Sequence, residues 1–202
     1  MILHATYMDD EALKAVVDRK VPLVPTFTFQ ANLADFGAAI GSDESLREVF
    51  RAEITESVGT LRAAFDAGVP LATGSESGFS LTPYGDWHYR ELQVFVEDLG
   101  MTPLQAINSA TEQGALALKL EGELGCIKPD YLADILIFDG EPETHITQLG
   151  EADRFRHIIK DGQLIDTSTP LPKDWQLPGW RVSEYSERIL TKELVQSIGL
   201  NH

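Results

Sequence analysis

The sequence predicts an α/β fold built on parallel strands, and three observations lead there. Short apolar runs rich in β-formers, residues 21–27 and 69–73, alternate with helical stretches, which is the rhythm of a parallel sheet. The second run ends in Thr73-Gly74-Ser75-Glu76-Ser77-Gly78, where a carboxylate is held between small residues. Past Gly122 the pattern changes to short strands and a hairpin turn, which marks a β segment of different character.

Taken in order, residues 9–20 place Leu13, Val16 and Val17 at helical spacing behind an acidic first turn, an amphipathic helix. Residues 21–27 form a strand whose length Pro22 and Pro25 limit. Ser42-Asp43-Glu44 opens a long helix in which Leu46, Val49, Phe50, Ile54, Val58, Leu61 and Phe65 recur every three or four residues, and Asp66-Ala67-Gly68 stops it. The strand at 69–73 leads to a helix over 87–99 with Leu92, Phe95, Val96 and Leu99 inward. Thr102-Pro103-Leu104-Gln105 starts the next helix with a capping box and an early proline, and that helix is expected to run to about Leu118. Short strands are expected at Cys126-Ile127, at 134–138 and at 156–160, the last turned by Asp161-Gly162 into 163–166. An extended connector with Pro170, Pro172, Pro178, Trp175 and Trp180 precedes a weak helix over 183–198.

Composition narrows the function classes. With 202 residues, 43% hydrophobic and 24% charged, the chain can bury one good core or two small ones. A formal net charge of −16 opposes phosphate backbones and anionic lipid, so neither nucleic acid nor a membrane is expected as a partner. No apolar run approaches the roughly 20 residues that span a bilayer, and the start lacks the basic and apolar regions of a signal. The expectation is a soluble, cytoplasmic protein. Cys126, the single cysteine, reads as a small packing residue between Gly125 and Ile127.

Two residues at strand ends carry candidate chemistry. Glu76 stands where a carboxylate binds a divalent metal or takes a proton from attacking water; the competing reading is a loop glutamate that caps a turn. His4 follows Ile2-Leu3 and suits a metal or a polarised carbonyl, or else is a satisfied structural histidine.

The ordered set of motifs resembles the carboxyl-terminal portion of the metal-dependent amidohydrolases, in particular the imidazolonepropionase-like and prolidase-like members. Ile2-Leu3-His4 with Met8-Asp9-Asp10-Glu11-Ala12-Leu13 looks like the sixth barrel strand and helix of that family. Val24-Pro25-Thr26 looks like the seventh strand end, and Gly74-Ser75-Glu76-Ser77-Gly78 falls where the family has its motif after the eighth. Residues 82–92, Leu104 to Thr111, and Gly125 to Asp134 extend the likeness, which covers residues 1 to about 166.

The resemblance implies the last part of a TIM (β/α)8 barrel, strands six to eight, followed by part of a small β domain. The implied divisions are 1–121 for the partial barrel, 122–166 for the small β segment, and 167–202 for the connector and tail helix. It further implies hydrolysis of an amide or cyclic-amide C–N bond, Xaa-Pro dipeptides among the substrates, with a divalent metal, zinc in expectation. Carried over residue by residue, His4 becomes a ligand to one metal of a pair, or in single-metal members a substrate contact, and Glu76 becomes a ligand to the other metal and the general base. Thr26, Ser77 and His88 become candidate substrate-binding residues, His88 for a substrate carboxylate, while strand capping or a surface helix start would also account for them. Asp134 is expected to serve turn geometry, its counterpart in the family lying outside the active centre.

The chain departs from the family in two places. Glu76 stands where the family has aspartate, and no His-x-His, expected on an earlier strand, occurs anywhere. A whole barrel of about 250 residues does not fit this length, and Met1 falls where the family has an ordinary strand residue. The expectation is therefore a fragment that needs the missing N-terminal half or oligomerisation to complete its site. The alternative is a catalytically inactive remnant or interaction module whose open barrel edges seek a partner chain.

Overall fold

The computed structural model describes residues 1–168 and 188–199. At its centre are three short parallel segments. β1 (Ile2–Leu3) pairs with β2 (Leu23–Val24), Ile2 opposite Leu23 and Leu3 opposite Val24. On its other side Leu23 bridges in parallel to Leu71. Prolines bound these strands, yet Pro22 and Pro70 still serve the ladder through their carbonyls, which accept from Ile2 N and Leu23 N at 2.9 Å each.

Helices connect the three segments, as the alternation in the sequence requires. α1 (Asp10–Arg19) is capped by Asp9, whose carboxylate accepts from Ala12 N, and it closes at Lys20 in a left-handed conformation. α3 (Glu44–Asp66) is capped by Asp43 and buries Ser57, Leu61 and Ala64. Gly68, with φ of 78°, turns the chain into the Leu71 segment.

Between β2 and α3 lies a helix that the sequence pattern did not announce, α2 (Phe27–Phe36). Eight of its ten side chains are buried, so it has no polar face and hence no amphipathic period to detect. Its partners are α3 and α4 (His88–Glu97), and Phe36 stacks on Trp87 with ring centroids 5.4 Å apart.

The expected helix from Thr102 to Leu118 is two helices. α5 (Pro103–Ala110) carries the foreseen capping box: Thr102 Oγ1 accepts from Gln105 N, and Gln105 Oε1 accepts from Thr102 N. Thr111 breaks the run with φ −121° and ψ −88°, its hydroxyl donating back to Ile107 O at 2.9 Å, and α6 (Glu112–Ala117) follows. Such back-bonding by a β-branched threonine competes with helix continuation.

In the β segment, β3 (Ile135–Phe138), β4 (Phe155–Lys160) and β5 (Gln163–Leu164) form an antiparallel sheet in that order. Asp161 and Gly162 both have positive φ, 51° and 75°, as a tight Asp-Gly hairpin turn demands. Asp134 braces that turn, accepting from Asp161 N at 2.8 Å and from Lys160 Nζ. The strand expected at Cys126-Ile127 is instead irregular turn. Gly125 there has φ of 90°, and a Cβ on it would sit 2.9 Å from Thr111 O, so the backbone approaches α6 too closely for a regular strand.

The core falls into two clusters, one around Leu23, Phe27, Leu61, Leu71 and Phe95, the other around Phe29, Leu33, Trp87 and Leu190. The tail helix, expected over 183–198, is α7 (Lys192–Ser197) in the described part, capped by Thr191. The proline-rich connector and residues 183–187 lie outside the described residues. Among the described residues no helix is long and apolar enough to cross a membrane. We expect Thr102→Ala to lower unfolding stability by about 1 kcal/mol, the usual worth of a lost cap, as read by urea denaturation.

Candidate functional site

The parallel ladder brings three predicted residues to one end. His4, Thr26 and Glu76 each follow a strand segment, and each is non-glycine in the left-handed region, with φ of 67°, 62° and 48°. Such conformations cost on the order of 1–3 kcal/mol each and cluster at functional sites. His4 Nδ1 lies 2.6 Å from Thr26 Oγ1, and His4 Nε2 lies 3.6 Å from Glu76 Oε1. Thr26 is buried, and its hydroxyl also reaches Pro25 O at 2.6 Å. The His4 side chain is half exposed, at 54%, and that of Glu76 less so, at 30%. Thr82 Oγ1 anchors the Glu76 backbone by donating to its carbonyl at 2.7 Å.

Gly74 explains how the third segment comes so near. A Cβ on it would lie 2.6 Å from Val24 Cγ1 and 3.0 Å from Thr26 Cγ2, so only glycine lets the strand ends touch.

Ser77 and His88 belong to a second group. Ser75 Oγ is 2.7 Å from Ser77 Oγ and 3.1 Å from His88 Nδ1. Gly85 N donates to His88 Nε2 at 3.4 Å, which leaves the His88 proton on Nδ1, directed at Ser75. Burial and the Lys192 ammonium hold His88 below its ordinary pKa, against the pull of Asp86. His88 and Ser75 line a cavity of about 720 Å3 that extends past Thr73, Gly74 and Glu91 to Ile107 and the β segment. His4, Thr26, Glu76 and Ser77 do not line it. The predicted residues thus form two adjoining groups, joined through the 73–77 turn.

Sequence reasoning passed over Glu91. It is completely buried, and its Oε2 accepts from Thr28 N at 2.7 Å and from Thr28 Oγ1 at 2.8 Å, capping α2 in place of Thr26, whose side chain makes no cap bond. Burial pushes the carboxyl up to about 7, opposed by hydrogen bonds from Thr28 and by the amides of Phe27 and Thr26. A signal was present: Glu91 precedes Leu92 and stands four residues before Phe95, on the stripe that packs inward.

One imidazole and one carboxylate 3.6 Å apart are a partial donor set. Among the described residues no group of three or more His, Cys, Asp or Glu is placed to hold a metal ion, and a stable site takes three or four protein donors. The described residues of this chain alone therefore do not fit a resident metal.

A short parallel sheet flanked by helices, with polar residues at the carboxyl ends of its strands, is the arrangement in which (β/α) barrel enzymes keep their active sites. Residues 2–165 match the Amidohydrolase family, and the chain belongs to it. Ochratoxinase of Aspergillus niger is 28% identical over 164 residues, 80% of this chain and 33% of that protein. Imidazolonepropionase of Nocardia farcinica is 28% identical over 163 residues, 80% of this chain and 35% of that one. A solved Xaa-Pro dipeptidase with bound methionine in its active site superposes with a TM-score of 0.65 at 30% identity, covering 82% of this chain and 39% of that chain. The chain thus spans about a third of the length of these curated relatives.

The Glu91 linkage has a definite sign. Its folded pKa of about 7 lies above the ordinary 4.5, so the folded state holds a proton that the unfolded state releases. That stability is fully present below about pH 4.5 and is lost as pH rises through about 7, roughly 3 kcal/mol in all. Glu91→Gln is expected to flatten the fall in Tm between about pH 5 and 7 relative to wild type, measured by thermal melts across that range.

Proposed function

We propose that this chain carries strands six to eight of a (β/α)8 barrel and part of the catalytic centre of a hydrolase of amide C–N bonds. The observation that carries the reading is the convergence of His4, Thr26 and Glu76, all left-handed, at one end of three parallel segments. In this reading water attacks the amide carbon, and Glu76 accepts its proton and passes it to the departing nitrogen. His4 and Glu76 contribute two donors to a divalent metal, zinc in our reading, and the remaining donors come from a polypeptide that completes the barrel. Thr26, buried, orients His4, Ser77 bonds to Ser75 beside the cavity, and the Ser75–His88 pair that lines the cavity meets the substrate's polar end. The likeness to an Xaa-Pro dipeptidase supports small amides and Xaa-Pro dipeptides as substrates.

A second reading is an interaction module without activity of its own. It is favoured by β1, whose Ile2 and Leu3 are 41% and 55% exposed and whose outer edge is unpaired among the described residues.

Metal content by mass spectrometry, with mass by light scattering, separates the two. A catalytic role requires near-stoichiometric divalent metal in a defined assembly and hydrolysis of small amides or Xaa-Pro dipeptides that a chelator abolishes. In that assembly Glu76→Gln should lower kcat/KM by about 10²–10⁴-fold with metal still bound. A defined assembly that binds no metal and hydrolyses nothing would leave the module reading.

A further inference from the structure

Proton accounting at Thr26 settles which nitrogen of His4 can bear hydrogen. A threonine hydroxyl has one hydrogen and two lone pairs. At 2.6 Å from Pro25 O, a carbonyl that can only accept, Thr26 Oγ1 gives its hydrogen there. What remains toward His4 Nδ1, also at 2.6 Å, is a lone pair. The short contact is a bond only when Nδ1 carries the proton. Neutral His4 then turns the bare lone pair of Nε2 toward Glu76 Oε1, 3.6 Å away. Free histidine side chains favour the other tautomer, so the arrangement works against the ring's own preference and depends on Thr26 staying where it is.

Thr26 does not hold that position by itself. It is β-branched and left-handed, a conformation that persists only when its surroundings over-determine it. It immediately precedes α2, whose first N–H groups need an acceptor, and its own side chain supplies none. The acceptor comes from the far side of the packing: Glu91 on α4 takes Thr28 N and Thr28 Oγ1 on a single oxygen. Its other oxygen, Oε1, is buried and makes no well-aligned hydrogen bond, although the Phe27 and Thr26 amides also act on the carboxyl. A carboxylate oxygen so poorly satisfied in the interior is costly, and such an atom in a native protein calls for an explanation.

We propose that Glu91 is a positioning residue for His4: by capping α2 it fixes Thr26, and through the Thr26 hydroxyl it holds His4 in the Nδ1-protonated tautomer. The effect is that of an outer-sphere partner which presents Nε2, unprotonated, to whatever occupies the space beside Glu76. The chain of contact runs from Glu91 through Thr28 and the Phe27 backbone to Thr26 and then His4. This inference rests on the reading of His4 as a residue of the catalytic centre, but its test does not require turnover.

The tautomer is read directly by long-range 1H–15N correlation on the full chain labelled at histidine, treated with chelator and held at about pH 8, where imidazole is neutral. His4 is identified by the signals lost in His4→Gln. Wild type should show Nδ1–H as the main His4 form. Thr26→Val should lose that majority and Thr26→Ser should keep it. Glu91→Met, similar in volume but without an acceptor, should lose it as Thr26→Val does, whereas Glu91→Gln, with one oxygen left for Thr28, should keep it. Circular dichroism and thermal melts establish that each variant is folded, and Glu91→Ala is read in place of Glu91→Met if the latter is not. Nε2–H as the main form in wild type overturns the proposal, and so does an unchanged Nδ1–H majority in folded Glu91→Met, or in folded Glu91→Ala where that variant is read instead. A tautomer that follows Glu91 in an assembly that hydrolyses no amide would sink the proposed function and leave the positioning role standing. Hydrolysis with a tautomer indifferent to Glu91 would do the reverse.

Discussion

Everything at the candidate site hangs on the short backbone ladder around Leu23. β2 lies between two neighbours: Pro22 O and Val24 O accept from Ile2 and His4 on one side, while Leu23 exchanges bonds with Pro70 O and Ala72 N on the other. Parallel pairing makes all three segments leave at the same end, so the residues that follow them are forced into one neighbourhood. Each exit turns sharply, which is why His4, Thr26 and Glu76 share the left-handed region. The absence of a side chain at Gly74 then lets the third exit close against the second.

The helices differ in how they are started, and the difference has consequences for cooperativity. α1, α3, α5 and α7 begin at caps one residue away in sequence, Asp9, Asp43, Thr102 and Thr191. α2 borrows its cap from Glu91, on the helix that packs against it. The first four could form their ends locally, whereas the start of α2 exists only once α4 has docked. The site residue that adjoins that start, Thr26, is therefore placed by tertiary packing rather than by local sequence preference.

This division also explains what could be read in advance. Amphipathic period, Asp and Thr caps, Asp-Gly turn chemistry and the strand-helix alternation are local patterns, and the elements they signal, α1, α3, α4, α5 and the β4–β5 hairpin, lie where residues 9–20, 42–66, 87–99, 102 onward and 161–162 placed them. α2 was illegible because burial on all sides erases the period. The break at Thr111 was hidden by a composition that suits one helix, and only its hydroxyl bond to Ile107 O reveals it. At the site, His4 and Glu76 were legible as strand-end residues, and the resemblance paired them, but the distance between them depends on register across three segments. Glu91 was hidden for the opposite reason, since a charged residue within an inward stripe is ordinarily read as the edge of a polar face.

The segment at 188–199 lies beyond residues 2–165, where the family likeness ends. Leu190 and Val195 are nevertheless fully buried in the second cluster, and the Trp87 indole donates to Leu190 O at 2.9 Å. Lys192 sits over the Tyr89 ring and donates to Gly150 O. The family match and the packed core therefore have different borders in this chain. A protein trimmed to residues 2–165 would uncover the indole and the aromatic stack behind His88, so the stretch beyond the match helps hold the matched part together.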